Sequence, residues 1–321
     1  MKRSPFFLYI LRMALDALHA TTSTLDREGL RAACDAKDVA AARRRLLDGA
    51  LEVLRTNAKA KRVGEHEMHY TVPSPHVYPE DSWKWDLVFG GMVAGRLAQL
   101  VDEPALAADL QALAEGSLEA ALVNQWSEGP NRGMTPHMNI GSEQAAELFG
   151  DASKSFLTQP SVVAMGVEYL ASDDLRERLL PALVAEADWW LRERLDDKGL
   201  PFTIHPWETG EDASADQDAT LAPFLDGRQG ELELQTDHHG NKDEATKAAR
   251  FALAMAIKEA GGGMAPASVS RGLYCHRSPG TASHVMAHLR SLAVLLELSG
   301  KSEEAARYRD ARRDMQEALN A

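Results

Sequence analysis

The chain has 321 residues, 45% of them hydrophobic and 26% charged, the balance of a folded globular protein and not of a disordered or low-complexity one. Lys and Arg total 35 against 48 Asp and Glu, a formal net charge of -13. A surface that acidic repels phosphate backbones and argues against a nucleic-acid partner.

Lys2 and Arg3 precede an apolar run, Pro5 to Leu11, that Arg12 and Asp16 then interrupt. The run is too short to cross a membrane, so an amphipathic helix is the expectation there, and no later stretch reaches membrane length. Two cysteines, Cys34 and Cys275, exclude a disulfide framework and a Cys-only metal site. Together these predict a cytoplasmic protein with reduced thiols. Residues 1–37 read as an N-terminal helical extension and 38–321 as the main domain.

Apolar spacing predicts a helix over 38–57 with Asp38 as its cap, a second from Asp86 to Val101, and a third from Pro104 to Asn124. A short helix is expected over 141–150. Pro160 to Leu170 and Asp173 to Leu195 form a pair joined by Ala171-Ser172. A helix over 241–260 follows, then a pair from Ser283 to Leu298 and Lys301 to Leu319, joined at Gly300. Only 63–77 and 232–235 resemble strands, and weakly. Gly261-Gly262-Gly263 reads as a flexible break. The pattern is αα-hairpins with tight inner turns, which force neighbouring helices antiparallel. Long loops join the hairpins, and hairpins stacked in a ring would gather those loops at one rim.

The loops hold the unusual residues. In Trp83-Lys84-Trp85-Asp86, two indoles offer flat apolar faces to sugar C–H groups, and a carboxylate offers an acceptor to hydroxyls. Asp86 reads equally well as a helix-start residue. His205-Pro206-Trp207-Glu208-Thr209-Gly210-Glu211-Asp212 crowds three carboxylates into a few positions. Mutual repulsion would raise at least one pKa, as a general acid needs; the plainer reading is a solvated acidic loop. Gln125-Trp126 and Thr158-Gln159-Pro160 supply amides that suit a sugar hydroxyl or a helix cap. His238-His239 near Asp237 and Asp243, and His284 with His288 on one helix face, lack metal-ligand spacing, so no metal is expected. Nothing matches GxGxxG, Walker A or GxSxG.

These pieces together resemble the (α/α)6-barrel glycosidases of glycoside hydrolase family 63 and their bacterial mannosylglycerate and glucosylglycerate hydrolase relatives. Trp83-Lys84-Trp85-Asp86-Leu87-Val88-Phe89 is similar to W-x-W-D-S-x-F. Gly133-Met134-Thr135-Pro136-His137 is similar to the G-x-x-P-H loop, Thr158-Gln159-Pro160 to T/S-Q-P-P, and His205-Pro206-Trp207-Glu208-Thr209-Gly210 to H-P-W-E-S/T-G. The resemblance implies an all-α fold of (α/α)6 toroid-type helical hairpins, inverting hydrolysis, and no cofactor. Asp212 takes the general-acid position. Trp83, Trp85, Asp86, Gln125, Trp126, His137, Gln159, Trp207 and Glu208 are the implied contacts to a small carbohydrate substrate.

Departures are Leu87 for the motif's Ser, Ala213-Ser214-Ala215 after the acid, and Asp216-Gln217-Asp218 in place of R-W-D. The family's base, a later Glu, has no match here, and fewer helices are legible than six hairpins require, so an incomplete barrel is expected. The implied reaction is hydrolysis of a small α-glucoside or α-mannoside, with glycerate as a candidate aglycone. The alternative is a non-catalytic helical sugar-binding protein or an inactive fragment without the base. Lys84 and Arg132 are candidate holders of an aglycone carboxylate, against the plainer reading of solvated charges. An opened barrel would expose apolar helix faces, so self-association is a further expectation.

Overall fold

The computed structural model describes residues 27–321 apart from 64–65, 77, 80, 142, 152, 212–213, 215–216 and 225–243. The expected N-terminal amphipathic helix, the strand over 232–235 and the His238-His239 cluster lie outside the described residues.

Helix α1 (Arg27–Asp35) packs on α2 (Val39–Asn57). Asp38 caps α2, its carboxylate accepting the Ala41 N–H at 3.0 Å, as the sequence predicts. Strands β1 (Ala58–Val63) and β2 (His66–Thr71) form an antiparallel hairpin. The sequence pointed only to its second arm, because β1 reads Ala-Lys-Ala-Lys-Arg-Val, with few of the β-branched and aromatic residues that mark a strand. In β2, Met68 and Tyr70 turn into the core and Glu67 and His69 turn out, the period of two that a half-buried strand requires.

The two residues of β3 (Ser82–Trp83) lead into α3 (Lys84–Ala98), which pairs with α4 (Pro104–Leu122). Pro104 opens α4, where its missing N–H costs nothing. Strand β4 (Met138–Ile140) and α5 (Glu143–Phe149) follow. Helix α6 (Val163–Leu170) touches α3, α4, α7 (Asp173–Glu193) and α11 (Pro279–Leu298). That central position explains why its sequence is apolar nearly all round. It approaches α4 closely at Gly166, where a Cβ would lie 2.6 Å from Leu118. The chain continues through a 3-10 turn (Pro206–Glu208), α8 (Asp218–Leu221), α9 (Glu244–Glu259), α10 (Ala267–Arg271), α11 and α12 (Ser302–Asn320), the last two joined through Gly300.

The fold is all-α and toroid-like: antiparallel helix pairs follow one another, and among the described residues the strands form only two-stranded ladders. Ser172 caps α7 as the short predicted turn requires. Helix α6 starts at Val163, three residues after the predicted Pro160. Thr158 and Gln159 are instead held by bonds to the distant side chains of Glu208 and Lys84. The glycine triplet is also not the flexible break the sequence suggests. It sits in a tight turn against Trp126, where a Cβ on Gly263 would lie 2.3 Å from the indole. Asn131 Nδ2 donates to the Gly263 and Ala265 carbonyls. Glycine is used there for close approach.

Two apolar clusters form the core. The larger joins α2, β2, α3, α4, α6, α7, α11 and α12; the smaller holds Met138, Phe149, Phe156, Phe202, Ile204, Leu253, Ile257 and Tyr274. Trp85 packs on the first, Trp83 and Trp207 on the second, and Trp126 on both. The tryptophans singled out in the sequence therefore lie at the margins of the two clusters, and Trp126 bridges them. No described helix is long and apolar enough to cross a membrane.

Candidate active site

A short ladder of backbone bonds stitches the motifs together. The Lys84 N–H donates to the His137 carbonyl at 2.8 Å, and the His137 N–H to the Leu157 carbonyl at 2.8 Å. One residue on, the Thr158 N–H donates to Glu208 Oε1 at 3.0 Å. Segments 82–84, 137–140, 155–158 and the turn at Glu208 are thus neighbours in space, although nearly the whole middle of the chain separates the first from the last.

Trp83 is the extended N-cap residue of α3 and Lys84 its first helical residue, and their side chains go to different places. Trp83 turns its ring to His137, centroids 4.9 Å apart, with Tyr78 on its edge at 5.5 Å. Lys84 goes inward and is fully buried. Its ammonium donates to Thr158 Oγ1 (3.1 Å), the Gln159 carbonyl (2.6 Å) and Glu186 Oε1 (2.9 Å). All three N–H bonds are used, so Lys84 is neither the solvated charge nor the aglycone holder considered from sequence; Arg132 is exposed. Burial works to raise the pKa of the Glu186 carboxyl, but the Lys84 ammonium overrides it and holds the group below the usual carboxylate range.

Trp85 opens onto the other side. Its N–H donates to Gln159 Oε1 at 2.8 Å, and its ring meets Phe89 and His284 edge-on, each at 4.8 Å. Asp86 follows in the first turn of α3, partly buried.

The second acidic motif is built around two locked groups. His205 Nδ1 accepts the Trp207 N–H at 3.1 Å, which leaves Nε2 to donate to the Arg250 carbonyl at 2.9 Å. Burial of this neutral tautomer lowers its pKa to about 4. Glu208 is fully buried and accepts four bonds: two from Arg194 at 2.7 Å, one from Thr158, and one from the Ile204 N–H at 2.7 Å. Both oxygens are saturated, and the charge is matched by a bidentate guanidinium. Glu211 is exposed. Gly210 brings the loop against the Trp85 ring, where a Cβ would lie 3.8 Å from it. Asp212, the candidate acid, lies outside the described residues, between Glu211 and Ser214, whose N–H returns to the Glu211 carbonyl at 3.0 Å.

The remaining sequence candidates divide. Trp207 packs with His205 (4.4 Å), lies parallel to His137 (6.3 Å, 10°) and meets Phe251 edge-on (5.2 Å). His137 is buried, with Nδ1 bonded to Ser155 Oγ, and burial pushes its pKa well below the usual histidine value. Its Nε2 and the Trp83 Nε1 are both buried without a protein partner, so the Trp83–His137 pair keeps unused hydrogen-bonding capacity. Gln125 and Trp126 sit beneath this assembly. Gln125 Nε2 donates to the Gly133 and Ala182 carbonyls at 3.0 and 2.9 Å and to Thr135 Oγ1 at 3.3 Å. The Trp126 indole donates to the Ser155 carbonyl at 3.3 Å, with the Lys154 ammonium 4.4 Å over its ring.

The structure brings Trp83, Trp85, His137, Gln159, Trp207 and the 208–211 loop together, with Gln125 and Trp126 as their underpinning. Sequence reasoning missed Glu186, Arg194 and the inward role of Lys84. Alternation between two tryptophans could have flagged Lys84; nothing local flags the other two. His284 drew notice only as half of a metal pair, yet it packs on Trp85. No cluster of His, Cys, Asp and Glu among the described residues is arranged to hold a metal.

The chain is an all-α, toroid-like array of helix pairs whose loops carry the tryptophans and the buried carboxylate Glu208. Residues 78–321 match the mannosylglycerate hydrolase MGH1-like glycoside hydrolase domain, and the chain belongs to that family. The mannosylglycerate hydrolases MGH1 and MGH2 of Selaginella moellendorffii are each 30% identical to it over 171 residues, 48% of this chain and 32% of theirs. The mannosylglycerate hydrolase of Thermus thermophilus is 30% identical over 193 residues, 54% of this chain and 40% of that one. The chain therefore spans less than half the length of the curated relatives it matches. A crystal structure of an uncharacterized conserved protein from Thermus thermophilus superposes with a TM-score of 0.59 at 24% identity, over 84% of this chain and 63% of that one, which supports the fold.

Proposed function

We propose that this chain is an inverting glycoside hydrolase domain that acts on a small α-glucoside or α-mannoside, with glycerate as a candidate aglycone. The glycone lies against Trp83, Trp85 and Trp207, with Gln159 and Asp86 as its polar contacts. The relatives named as mannosylglycerate hydrolases support the substrate class. The observation that carries the reading is the ladder from Lys84 through His137 and Leu157–Thr158 to Glu208. It gathers four separate motifs around one set of aromatic rings, an arrangement that core packing alone does not require.

Asp212 is the proposed general acid. Its proton passes to the glycosidic oxygen as the bond to the anomeric carbon breaks. Water adds to that carbon from the opposite face and gives its proton to a second carboxylate, roughly 6.5–9.5 Å from the acid in inverting enzymes. No carboxylate of this chain is assigned that second role. Glu208 is assigned the task of shaping the loop, because Arg194 and two backbone amides occupy its oxygens.

The test is sugar release from a panel of α-glucosides and α-mannosides, including glucosylglycerate and mannosylglycerate, by the wild type and by Asp212→Asn. Release by the wild type, lost by about two to four orders of magnitude in the variant, is the expected result for a general acid. Equal release by both removes Asp212 from the chemistry.

A further inference from the structure

We propose that Lys84 is a positioning residue for the sugar site: through the Gln159 carbonyl it fixes the side-chain amide that holds Trp85. Lys84 and Trp85 are consecutive, and both grip Gln159. The Lys84 ammonium takes the Gln159 carbonyl at 2.6 Å, while the Trp85 N–H takes the Gln159 side-chain oxygen at 2.8 Å. The result is a closed circuit around one glutamine. The ammonium also takes Thr158 Oγ1, whose hydroxyl donates to the Thr135 carbonyl at 2.7 Å. The segment that precedes α6 is thereby held to the loop that carries His137.

A neutral side chain cannot reproduce this. Three acceptors converge on one buried point, and only an ammonium offers three donors from one atom. Glu186 on α7 supplies the counter-charge that makes the buried cation tolerable. Glu186 thus stabilises the charge, and the other two bonds of Lys84 set the geometry.

The inference rests on the reading of Trp85 and Gln159 as glycone contacts, but its test does not need a substrate. Removing one partner of a buried ion pair is destabilising, whereas replacing both with apolar groups of similar size restores stability. Lys84→Met combined with Glu186→Leu therefore separates the two roles. The expected result is an unfolding midpoint near that of the wild type, with the Trp85 amide exchanging hydrogen at least about tenfold faster than in the wild type. For any glycoside the wild type cleaves, KM rises in the double variant by more than kcat falls. A double variant that keeps wild-type exchange at Trp85 overturns the proposal and leaves Lys84 as one end of an ion pair only. Should the double variant not fold, Lys84→Arg supplies the test, since it keeps a positive charge beside Glu186 but cannot aim three donors from one atom at Glu186, Thr158 Oγ1 and the Gln159 carbonyl. Faster exchange at Trp85 supports the positioning role and unchanged exchange refutes it. A wild type that cleaves no glycoside refutes the hydrolase reading and leaves the exchange measurement readable.

Discussion

At the scale of single residues, the polar groups of the site are mostly held in one state. Glu208 has no free lone pair, Lys84 no free N–H, and His205 one allowed tautomer. Such groups contribute order, and that order depends on pH. The His205 imidazole titrates near 4 in the folded protein, below the roughly 6.5 of an unfolded histidine. Its contribution to stability is complete above pH 6.5 and is lost as pH falls toward 4, because the unfolded chain then takes up a proton that the native state refuses. His284, also lowered to about 4 by burial, acts in the same direction. Urea unfolding at pH 5 should show a loss on the order of 1–2 kcal/mol from His205 relative to pH 7, and a flatter profile in His205→Gln. Equal stability of the wild type at both pH values would show that the imidazole is not locked.

Among the elements, the helices were legible and their ends less so. Helices α2, α4 and α7 carry apolar residues at helical spacing, with a cap or a proline where they begin, and these signals are local. The start of α6 was misread because Lys84 and Glu208 hold residues 158–159 from far away in sequence. Strand β1 was missed because its lysines and arginine carry no strand signature. In the site, the tryptophans, histidines and glutamines stood out in loops, where core packing does not explain them. Glu186 and Arg194 did not, since a charged residue on a helix is ordinary until its partner is known, and Lys84 lies 102 residues from Glu186.

One loop connects the elements to the site. Gly133 has a φ of 94° and its Cα faces the Ala185 carbonyl of α7, where a Cβ would come within 2.3 Å. Gly133→Ala should cost roughly 2–4 kcal/mol, a left-handed penalty plus overpacking. Gly129→Ala, at φ 69° with open space around it, should cost only about 1–2 kcal/mol. Denaturant midpoints for the two variants test this, and equal losses would mean that the close approach to α7 is not maintained.

At the scale of the molecule, the motif tryptophans sit at the margins of two apolar clusters, Trp85 against one, Trp83 and Trp207 against the other, and Trp126 against both. A margin can present aromatic faces without breaking a core, which suits a ligand with apolar C–H faces and many hydroxyls. The central claim is that Trp83, Trp85, Gln159 and Trp207 form one sugar-binding face. Calorimetric titration with mannosylglycerate and glucosylglycerate tests it most directly, comparing the wild type with Trp85→Ala and Gln159→Ala. Saturable binding of at least one glycoside, weakened about tenfold or more in each variant, a loss of roughly 1.4 kcal/mol, is the result predicted. A wild type that binds neither glycoside, or variants that bind as tightly as the wild type, would contradict the account.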